Sequence, residues 1–339
     1  MPVSTPHPPS TASVAIVGAG ASGLLAGRRL QEAGFQVQIF EKSRGPSGRL
    51  STRRQAGYAF DHGAQYFTVK DNRFRPIVDE WIEAGVVAPW GGSIAVLKQG
   101  DVTPKDSGPG RYVGVPRMSS LGRHLEPGLD IVYKTRVGSA EQTENGWALV
   151  SDAGDDLGTF ETLLITAPPE QTLPFVESVP ALHEQVAGVD MLPCWAVMAA
   201  FDTPLPLNVD GAFVHDSPLS WVARNTSKPG RPEPETWVLH ASPEWSTAHL
   251  EEEKDAVAPQ LLEAFFEAAG ITPVEPAFAT AHRWRYAQVG NPLNEGCLWD
   301  QATRLGVAGD WCNGSRVEGA FMSGLLLAEK LIGSRIPSS

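Results

Sequence analysis

The sequence predicts an α/β fold, in which a parallel sheet carries a dinucleotide-binding turn and an inserted α+β region forms an antiparallel sheet. Residues 14–42 hold a buried strand, a glycine turn, a helical pattern and a second strand that ends in an acid. Residues 170–295 instead hold alternating strand patterns and five of the ten tryptophans, which is typical of an antiparallel sheet. A strand and helix at 306–332 resemble the first pattern again, so the second region is expected to be an insertion.

The glycine turn has the spacing of a Rossmann-type phosphate-binding loop. Gly18 permits the tight turn, Gly20 leaves room for a pyrophosphate, and Gly23 lets the helix pack on the strand. The helix start offers free N–H groups and partial positive charge to phosphates. Glu41 follows Gly23 by eighteen residues, close to the roughly 20 expected for the acid that binds a ribose hydroxyl. The first region is therefore predicted to bind a dinucleotide.

Two stretches after this unit leave alternatives open. Residues 42–50 form a loop with two glycines and two arginines, which either presents Arg49 to a phosphate or is a solvated turn. Residues 61–68 change from small to aromatic side chains. That change suits a backbone beside a flat ring, and equally a strand that enters an apolar core.

The periodicity predicts the remaining elements. An amphipathic helix is expected from Phe74 to Ile82. The predicted helices and strands are helices at 22–33, 118–125, 247–269 and 316–332, a β-meander of strands at 131–137, 147–151 and 162–166, antiparallel strands at 196–201, 211–215 and 236–240, and a strand at 306–311.

These elements divide the chain into a tail and two domains. Residues 1–12 are rich in Pro, Ser and Thr and are expected to be a disordered tail. The first domain is assigned to 13–70, 112–168 and 297–334, and the second, substrate-binding domain to 71–111 and 169–296.

Composition excludes several classes of protein. The net charge is −12 with no basic run, so nucleic acid and anionic membranes are poor partners and a small molecule is expected. Three cysteines without CxxC spacing indicate reduced thiols in a cytoplasmic protein, and no Cys/His spacing of a metal site is present. The apolar run at 14–26 is short and interrupted by glycines, which argues against a membrane span.

The order of motifs resembles the flavin-containing amine oxidase superfamily and, within it, the bacterial members of the renalase family. The resemblance covers residues 13–334 and rests on these segments: GAGASG at 18–23, EKSRGPSGR at 41–49, DHGAQYFT at 61–68, ITAPP at 165–169, SWVARNTSKPGR at 220–231, WVLHAS at 237–242, HRW at 282–284 and GDWCNGSRVEGA at 309–320. It implies a GR2-like, Rossmann-type FAD-binding domain. It also implies oxidation of 2- and 6-dihydroNAD(P) isomers to β-NAD(P)⁺, with hydride transfer to flavin N5 and O₂ reduced to H₂O₂.

The resemblance also implies which residues contact FAD. The pyrophosphate would lie on 18–23, the adenosine ribose on Glu41, a phosphate on Arg49, and the ribityl chain or a phosphate on Asp310. The isoalloxazine would lie near 65–66 and the start of the last helix, where a helix N-terminus stabilises negative charge on reduced flavin. The implied FAD-binding residues are Gly18, Ala19, Gly20, Ala21, Ser22, Gly23, Glu41, Lys42, Gly48, Arg49, Gly63, Ala64, Gln65, Tyr66, Phe67, Val137, Thr166, Ala167, Gly309, Asp310, Val317, Glu318, Gly319 and Ala320.

The substrate-pocket candidates are aromatic and polar residues, because a dihydropyridine needs stacking and orientation more than a strong base. Arg224 would pair with a substrate phosphate or carboxamide, or form a surface salt bridge. His240 and Trp221 are equally compatible with ordinary core packing. The candidates are Tyr66, Trp221, Arg224, Asn225, His240, His282 and Tyr286.

Two positions depart from the family pattern. His62 stands where an apolar residue is more usual, and its role is open. Cys297 lies near the place where covalent amine oxidases carry a flavin-linked cysteine, but the resemblance implies noncovalent FAD.

Three other functions remain alternatives. An amine oxidase would place a lysine near flavin N5, and neither Lys228 nor Lys254, the lysines within 170–295, lies in a suitable motif. A carotenoid-type desaturase would need a long apolar tunnel. A flavin-binding sensor without turnover is the alternative from outside the enzymes.

Overall fold

The structure is a computed structural model that describes residues 12–105, 108 and 110–334. The expected disordered tail therefore lies, except for residue 12, outside the described residues. The strands are β1 (Ser13–Val17), β2 (Gln36–Glu41), β3 (Arg53–Gln55), β4 (Tyr58–Phe60), β5 (Val87–Pro89), β6 (Ile94–Lys98), β7 (Asp101–Pro104), β8 (Tyr112–Gly114), β9 (Asp130–Tyr133), β10 (Val137–Thr143), β11 (Gly146–Ser151), β12 (Asp156–Phe160), β13 (Thr162–Ile165), β14 (Met191–Ala200), β15 (Gly211–Val214), β16 (Leu219–Arg224), β17 (Thr236–Ala241), β18 (Phe278–Val289), β19 (Leu298–Asp300) and β20 (Leu305–Val307). The helices are α1 (Ala21–Glu32), α2 (Phe74–Glu83), α3 (Ser120–Leu125), α4 (Pro169–Val176), α5 (Pro180–Ala187), α6 (Pro243–Ala248), α7 (Lys254–Ala269) and α8 (Val317–Gly333).

A six-stranded sheet in the order β19-β20-β13-β1-β2-β9 forms the first half of the fold. All neighbouring pairs are parallel except β19 with β20. The centre of β1 is fully buried and apolar, as expected for a parallel strand in a sheet that helices cover. The predicted α/β fold with a Rossmann-type sheet is confirmed.

A seven-stranded sheet in the order β18-β14-β17-β16-β15-β6-β7 forms the second half. Its neighbours are antiparallel, apart from the parallel pair β15 and β6. Strand β14 is buried along most of its length, and α7 packs its apolar side on the same sheet. The predicted antiparallel sheet is therefore present, whereas the assigned domain boundaries stay a prediction.

Several predicted elements differ from the structure. The predicted meander is wrong in part: β10, β11 and β12 form a separate antiparallel sheet, while β9 and β13 belong to the parallel sheet. The predicted helix at 247–269 is divided into α6 and α7. The long strand β18 was not predicted, because charged and aromatic residues interrupt its apolar alternation.

Helices α1 and α8 approach each other closely through small residues. A Cβ added at Gly324 would lie 2.1 Å from the carbonyl oxygen of Ser22. In the same contact the Ser22 hydroxyl donates to the carbonyl of Ala320 at 2.7 Å. This contact fixes the first turn of α1 against α8, so both helix starts face the same edge of the sheet.

We expect Gly324→Ala to destabilise the protein, because the added methyl group meets backbone that cannot move freely. Overpacking of this kind costs about 1–3 kcal/mol, and the melting temperature followed by circular dichroism measures it. Gly333→Ala is the matched control, since no heavy atom of the described residues lies within 4 Å of its added Cβ. Equal melting temperatures for wild type and both variants would contradict this packing of α1 on α8.

Candidate functional site

A cavity of about 2310 Å³ lies between the two sheets. One end lies at the carboxyl ends of β1, β2 and β13, and the other lies against β16, β17 and β18. Ligands of open α/β sheets bind beyond the carboxyl ends of the strands. The volume is more than twice the roughly 1,000 Å³ upper range for one drug-sized ligand, so there is room for two molecules.

The glycine turn has the geometry of a phosphate cradle. Gly18 has φ +105°, a conformation that side chains rarely adopt. A Cβ at Gly20 would have no heavy atom within 4 Å, so open space lies beside the backbone there. A Cβ at Gly23 would lie 2.0 Å from the carbonyl oxygen of Gly18, which explains the third glycine as a packing requirement.

Carboxylates secure the loops around this cradle. Glu41 is buried and accepts hydrogen bonds from the backbone N–H groups of Ala19 at 2.8 Å and Ser43 at 2.7 Å. Asp310 forms a two-point ion pair with Arg49, with distances of 2.9 and 2.6 Å. The two residues predicted to contact FAD separately thus bind each other, and join the loop after β2 to the segment before α8.

The register of the antiparallel sheet places four aromatic rings in one row on the cavity wall. His282 pairs with Ala196, which pairs on its other side with His240. His240 pairs in turn with Trp221, and Trp221 with Phe213. Directly paired residues in neighbouring strands share a face of the sheet, and all four ring-bearing residues line the cavity.

Tyr66 faces this row from the other half of the fold. Its ring centroid lies 5.4 Å from that of Trp221 and 6.0 Å from that of Trp90. The guanidinium of Arg111 lies 5.3 Å from the Tyr66 ring centroid. Tyr66 therefore packs against Trp221 and extends the aromatic surface of the row.

Three histidines of the wall are held in the neutral form. The Nε2 of His240 lies 3.1 Å from the carbonyl oxygen of His62, so this nitrogen is the donor. The Nδ1 of His282 lies 3.1 Å from Arg53, which can only donate, so Nδ1 accepts and Nε2 carries the proton. The buried Nδ1 of His62 has no hydrogen-bond partner in the described part of the chain.

The surroundings lower the pKa of all three histidines. Burial, followed by the nearby charges of His282 and Arg53, lowers the pKa of His62 to about 3. Burial lowers the pKa of His240 to about 4, and burial with the Arg53 charge lowers that of His282 to about 4. At neutral pH this wall offers hydrogen bonds without adding charge.

A buried ionic cluster lies behind the wall. Asp61 accepts from Arg231 at 2.5 and 3.1 Å, and its carboxylate lies 3.8 Å from the ammonium of Lys228. Lys228 is fully buried and donates to Oε1 of Gln65 at 3.0 Å. Burial would raise the pKa of Asp61, but the two cations and their hydrogen bonds lower it overall, whereas burial lowers the pKa of Lys228 to about 7.

Lys228 was set aside from its sequence context, because nothing local marks a lysine that bonds Gln65, which is 163 residues away in sequence. Lys228 is not part of the cavity lining, from which Gln65 separates it. The structure also gives His62 a place, on the cavity wall beside His282 and Trp284, at centroid distances of 4.8 and 4.9 Å.

The structure brings most predicted site residues to the cavity. Tyr66, Trp221, His240, His282 and Tyr286 line it. The predicted FAD-binding residues that line it are Gly18, Gly20, Ala21, Ser22, Glu41, Lys42, Gly48, Arg49, Gly63, Ala64, Gln65, Tyr66, Phe67, Val137, Thr166, Ala167, Gly309, Asp310, Val317, Glu318 and Ala320. Ala19, Gly23 and Gly319 are not among the lining residues and support the backbone beneath it.

Two substrate candidates lie elsewhere. The guanidinium of Arg224 donates to the carbonyl of Leu207 and lies 3.8 Å from the carboxylate of Glu235, which is buried. It also lies 5.3 Å from the Trp237 ring centroid, so Arg224 forms a largely buried ion pair and does not line the cavity. Asn225 is buried and bonds the backbone of Ala59 and Asp61, which makes it a structural residue.

The cysteine thiols are buried. Burial raises the pKa of Cys194 to about 12 and that of Cys297 to about 11, which disfavours the reactive thiolate. Cys297 is not part of the cavity lining. This placement gives no support to a flavin link through Cys297. The described residues also contain no group of three or more side chains suited to hold a metal ion.

The cavity is basic although the chain is acidic. Among the described residues eleven basic side chains line it, against Glu41, Asp310 and Glu318. Each of these three carboxylates already accepts a hydrogen bond from the protein. The basic lining residues are Lys42, Arg44, Arg49, Arg53, Arg54, Lys70, Arg117, Arg123, Arg136, Arg285 and Arg316.

Two family models match the chain. Residues 16–81 match an NAD(P)-binding Rossmann-like domain, and residues 91–332 match the flavin containing amine oxidoreductases. The second match covers well over half of the chain. The protein therefore belongs to the flavin containing amine oxidoreductase family.

Individual curated relatives match this chain only over a short segment. A zeta-carotene-forming phytoene desaturase of Myxococcus xanthus is 46% identical over 50 residues, which are 15% of this chain and 10% of the desaturase. A 4,4'-diapophytoene desaturase of Staphylococcus haemolyticus is 45% identical over 58 residues, 17% of this chain and 12% of its own. The chain thus aligns with about a tenth of the length of these curated relatives.

Solved structures match over nearly the whole chain. Putrescine oxidase bound to putrescine has a TM-score of 0.71 at 15% identity, and covers 95% of this chain and 99% of its own. A protein of Exiguobacterium sp. 255-15, provisionally described as a protoporphyrinogen oxidase, has a TM-score of 0.78 at 14% identity, over 96% and 100% of the two chains. At these identities the likeness shows the fold alone.

The residues present fit a flavin dinucleotide. The open space at Gly20 and the first turn of α1 suit a pyrophosphate, and Glu41 keeps unused lone pairs for a ribose. The start of α8 reaches the same cavity through Val317 and Ala320, where its partial positive charge suits the flavin ring. None of these contacts requires a covalent bond.

The neutral histidine wall predicts a pH-dependent stability. Because the pKa of His62 falls from an unfolded value near 6.5 to about 3, the unfolded chain binds a proton that the folded protein lacks between these values. The free energy of unfolding therefore falls as pH is lowered through this window. We expect His62→Gln to reduce the dependence of the unfolding free energy on pH in this window. The difference in bound protons between the unfolded and folded states should fall by up to one, as measured by urea unfolding at several pH values.

His215→Gln is the control for this measurement, because His215 is exposed. It should leave the slope nearly unchanged. A slope for His62→Gln equal to that of the wild type would show that His62 is charged, or exposed, in the folded protein.

Proposed function

We propose that this protein is a noncovalent FAD-dependent oxidase of the renalase type. In this proposal it oxidises 2- and 6-dihydroNAD(P) isomers to β-NAD(P)⁺ and reduces O₂ to H₂O₂. The observation that supports it best is the charge of the cavity, which is lined by eleven basic side chains in a chain of net charge −12.

A basic cleft favours an anionic substrate. A cleft lined by one sign of charge raises the local concentration of oppositely charged ligands. A flavin dinucleotide neutralises only part of this lining, and the cavity volume leaves space for a second phosphate-bearing molecule. A cationic amine would be repelled by the same arginines and would find each of the three lining carboxylates already bonded.

The neutral histidines suit the nicotinamide end of such a substrate. The protonated Nε2 of His282 can donate to a carboxamide oxygen, because its Nδ1 is occupied by Arg53. Tyr66 and Trp221 supply flat apolar surface for ring stacking. The low pKa of His240 and His282 prevents these side chains from protonating the substrate at neutral pH.

The division of labour follows from this arrangement. The flavin, when bound, supplies a ring that accepts a hydride. The protein binds the substrate by its phosphates and orients the ring by stacking on the aromatic surface of Tyr66 and Trp221. No strong base is needed, since a dihydropyridine is already a hydride donor.

Two alternatives remain within the shared fold. An amine oxidase is favoured by the fold match to putrescine oxidase, although Gln65 separates Lys228 from the cavity. A sensor without turnover would use the same flavin site. Carotenoid desaturation is less compatible, because the cavity is basic rather than an apolar tunnel.

Turnover of the flavin-loaded protein tests the proposal. We expect H₂O₂ release and formation of β-NAD⁺ from 6-dihydroNAD and 2-dihydroNAD, measured by a peroxidase-coupled assay and by chromatography. Putrescine and benzylamine should give no peroxide above background. Peroxide from the amines alone would establish the amine oxidase alternative, and absence of turnover with every substrate would favour the sensor.

A further inference from the structure

A second hollow adjoins the main cavity at the hairpin of β3 and β4. It has a volume of about 460 Å³ and shares Arg54, Gln55 and Arg117 with the lining of the main cavity. The remaining lining comes from residues 56–59. The two spaces are therefore continuous at the two arginines.

The hairpin that carries Arg53 and Arg54 has a tight two-residue turn. Ala56 and Gly57, the two loop residues, have φ of +51° and +84°, as a two-residue type I′ turn requires. The register pairs Arg53 with Phe60 and Arg54 with Ala59. A left-handed alanine is unfavourable, so the tight turn is maintained against a local cost.

Adjacent strand residues point to opposite faces, and the hairpin uses this property. Arg53 reaches His282 on the aromatic wall, at 3.1 Å. Arg54, the next residue, borders the hollow. One short strand thus connects the place proposed for the nicotinamide ring with the hollow beside it.

The two arginines at the hollow have no counter-ion. Within the described ranges, neither Arg54 nor Arg117 has a salt bridge or a side-chain hydrogen bond, although Arg49, Arg123 and Arg285 on the same cavity are each paired with a carboxylate. In the part of the chain that the structure describes, no acidic residue lines the hollow. Two unpaired guanidinium groups beside an open space suit phosphate oxygens, which arginine binds at two points.

We propose that Arg54 and Arg117 form an anion subsite for the pyrophosphate of a dinucleotide substrate. This inference rests on the proposed function for the identity of the substrate, and it adds where the phosphates bind. The subsite explains how the protein distinguishes a dinucleotide from a bare nicotinamide ring: the ring contacts the His282 wall, and the phosphates contact the hairpin.

The test compares a double variant with a matched control, both as flavin-loaded protein. Arg54→Gln/Arg117→Gln removes the two charges at the hollow. Arg29→Gln/Arg73→Gln removes two exposed charges that line neither space, so it reproduces the change in net charge alone.

Substrates of different length locate the effect. We expect the KM for 6-dihydroNAD to rise about tenfold in the double variant with kcat unchanged, equal to about 1.4 kcal/mol. The KM for 6-dihydronicotinamide riboside, which has no phosphate, should stay the same. Lysine at both positions should restore part of the loss, because it keeps the charge but not the two-point geometry. An unchanged KM for 6-dihydroNAD overturns the proposal.

ADP-ribose, which has the pyrophosphate but no nicotinamide, provides a measurement without turnover. Its Kd, followed by tryptophan fluorescence, should weaken about tenfold in the double variant and not in the control. If no dihydronicotinamide is oxidised but ADP-ribose binding depends on both arginines, the anion subsite stands and the proposed function fails. If FAD affinity falls instead, with both the KM and the ADP-ribose Kd unchanged, the arginines serve the cofactor and the proposal is overturned.

Discussion

The cavity depends on the buried ion pairs of Asp61. Its carboxylate accepts hydrogen bonds from the Thr52 hydroxyl and the Met118 N–H in the parallel-sheet half. It also accepts from the Arg231 guanidinium, which comes from a loop of the antiparallel half. Removing one partner of a buried pair costs about 3–5 kcal/mol, because the other charge is left without compensation in a low dielectric. The relative position of the cavity walls is therefore fixed by a charge that neither half satisfies alone.

The two walls of the cavity acquire their binding properties in different ways. On the parallel-sheet side the backbone forms the site, because Gly20 leaves open space and the N-terminus of α1 points at that space. On the antiparallel side the strand register forms the site, because it aligns His282, His240 and Trp221 in one row. Burial keeps the histidines neutral, while arginines supply positive charge along the lining. Together these features support the proposed ligand, which has a flat ring and phosphates.

The sequence predicted the parts of this arrangement that are local. The β-α-β unit was predictable because Gly18, Gly20, Gly23 and Glu41 act within one short segment. The ionic cluster was not, because Lys228 and Arg231 become significant only when they meet Asp61 from another part of the chain. Arg224 failed as a site residue for the opposite reason: its sequence context resembles a pocket position, but its guanidinium turns to Leu207 and Trp237. Strand β18 forms much of the antiparallel wall of the cavity. It was not predicted, because its polar residues interrupt the alternation of apolar and polar side chains that marks a strand.

The most direct test of the account is the salt dependence of anaerobic flavin reduction, followed at about 450 nm. Ionic strength would be varied from about 0.01 to 1 M, a range in which the Debye length falls from about 30 to 3 Å. We expect rapid bleaching by 6-dihydroNAD with a second-order rate constant that falls as salt increases, because basic residues attract the dinucleotide. Bleaching by putrescine that accelerates with salt, without bleaching by 6-dihydroNAD, would contradict this expectation.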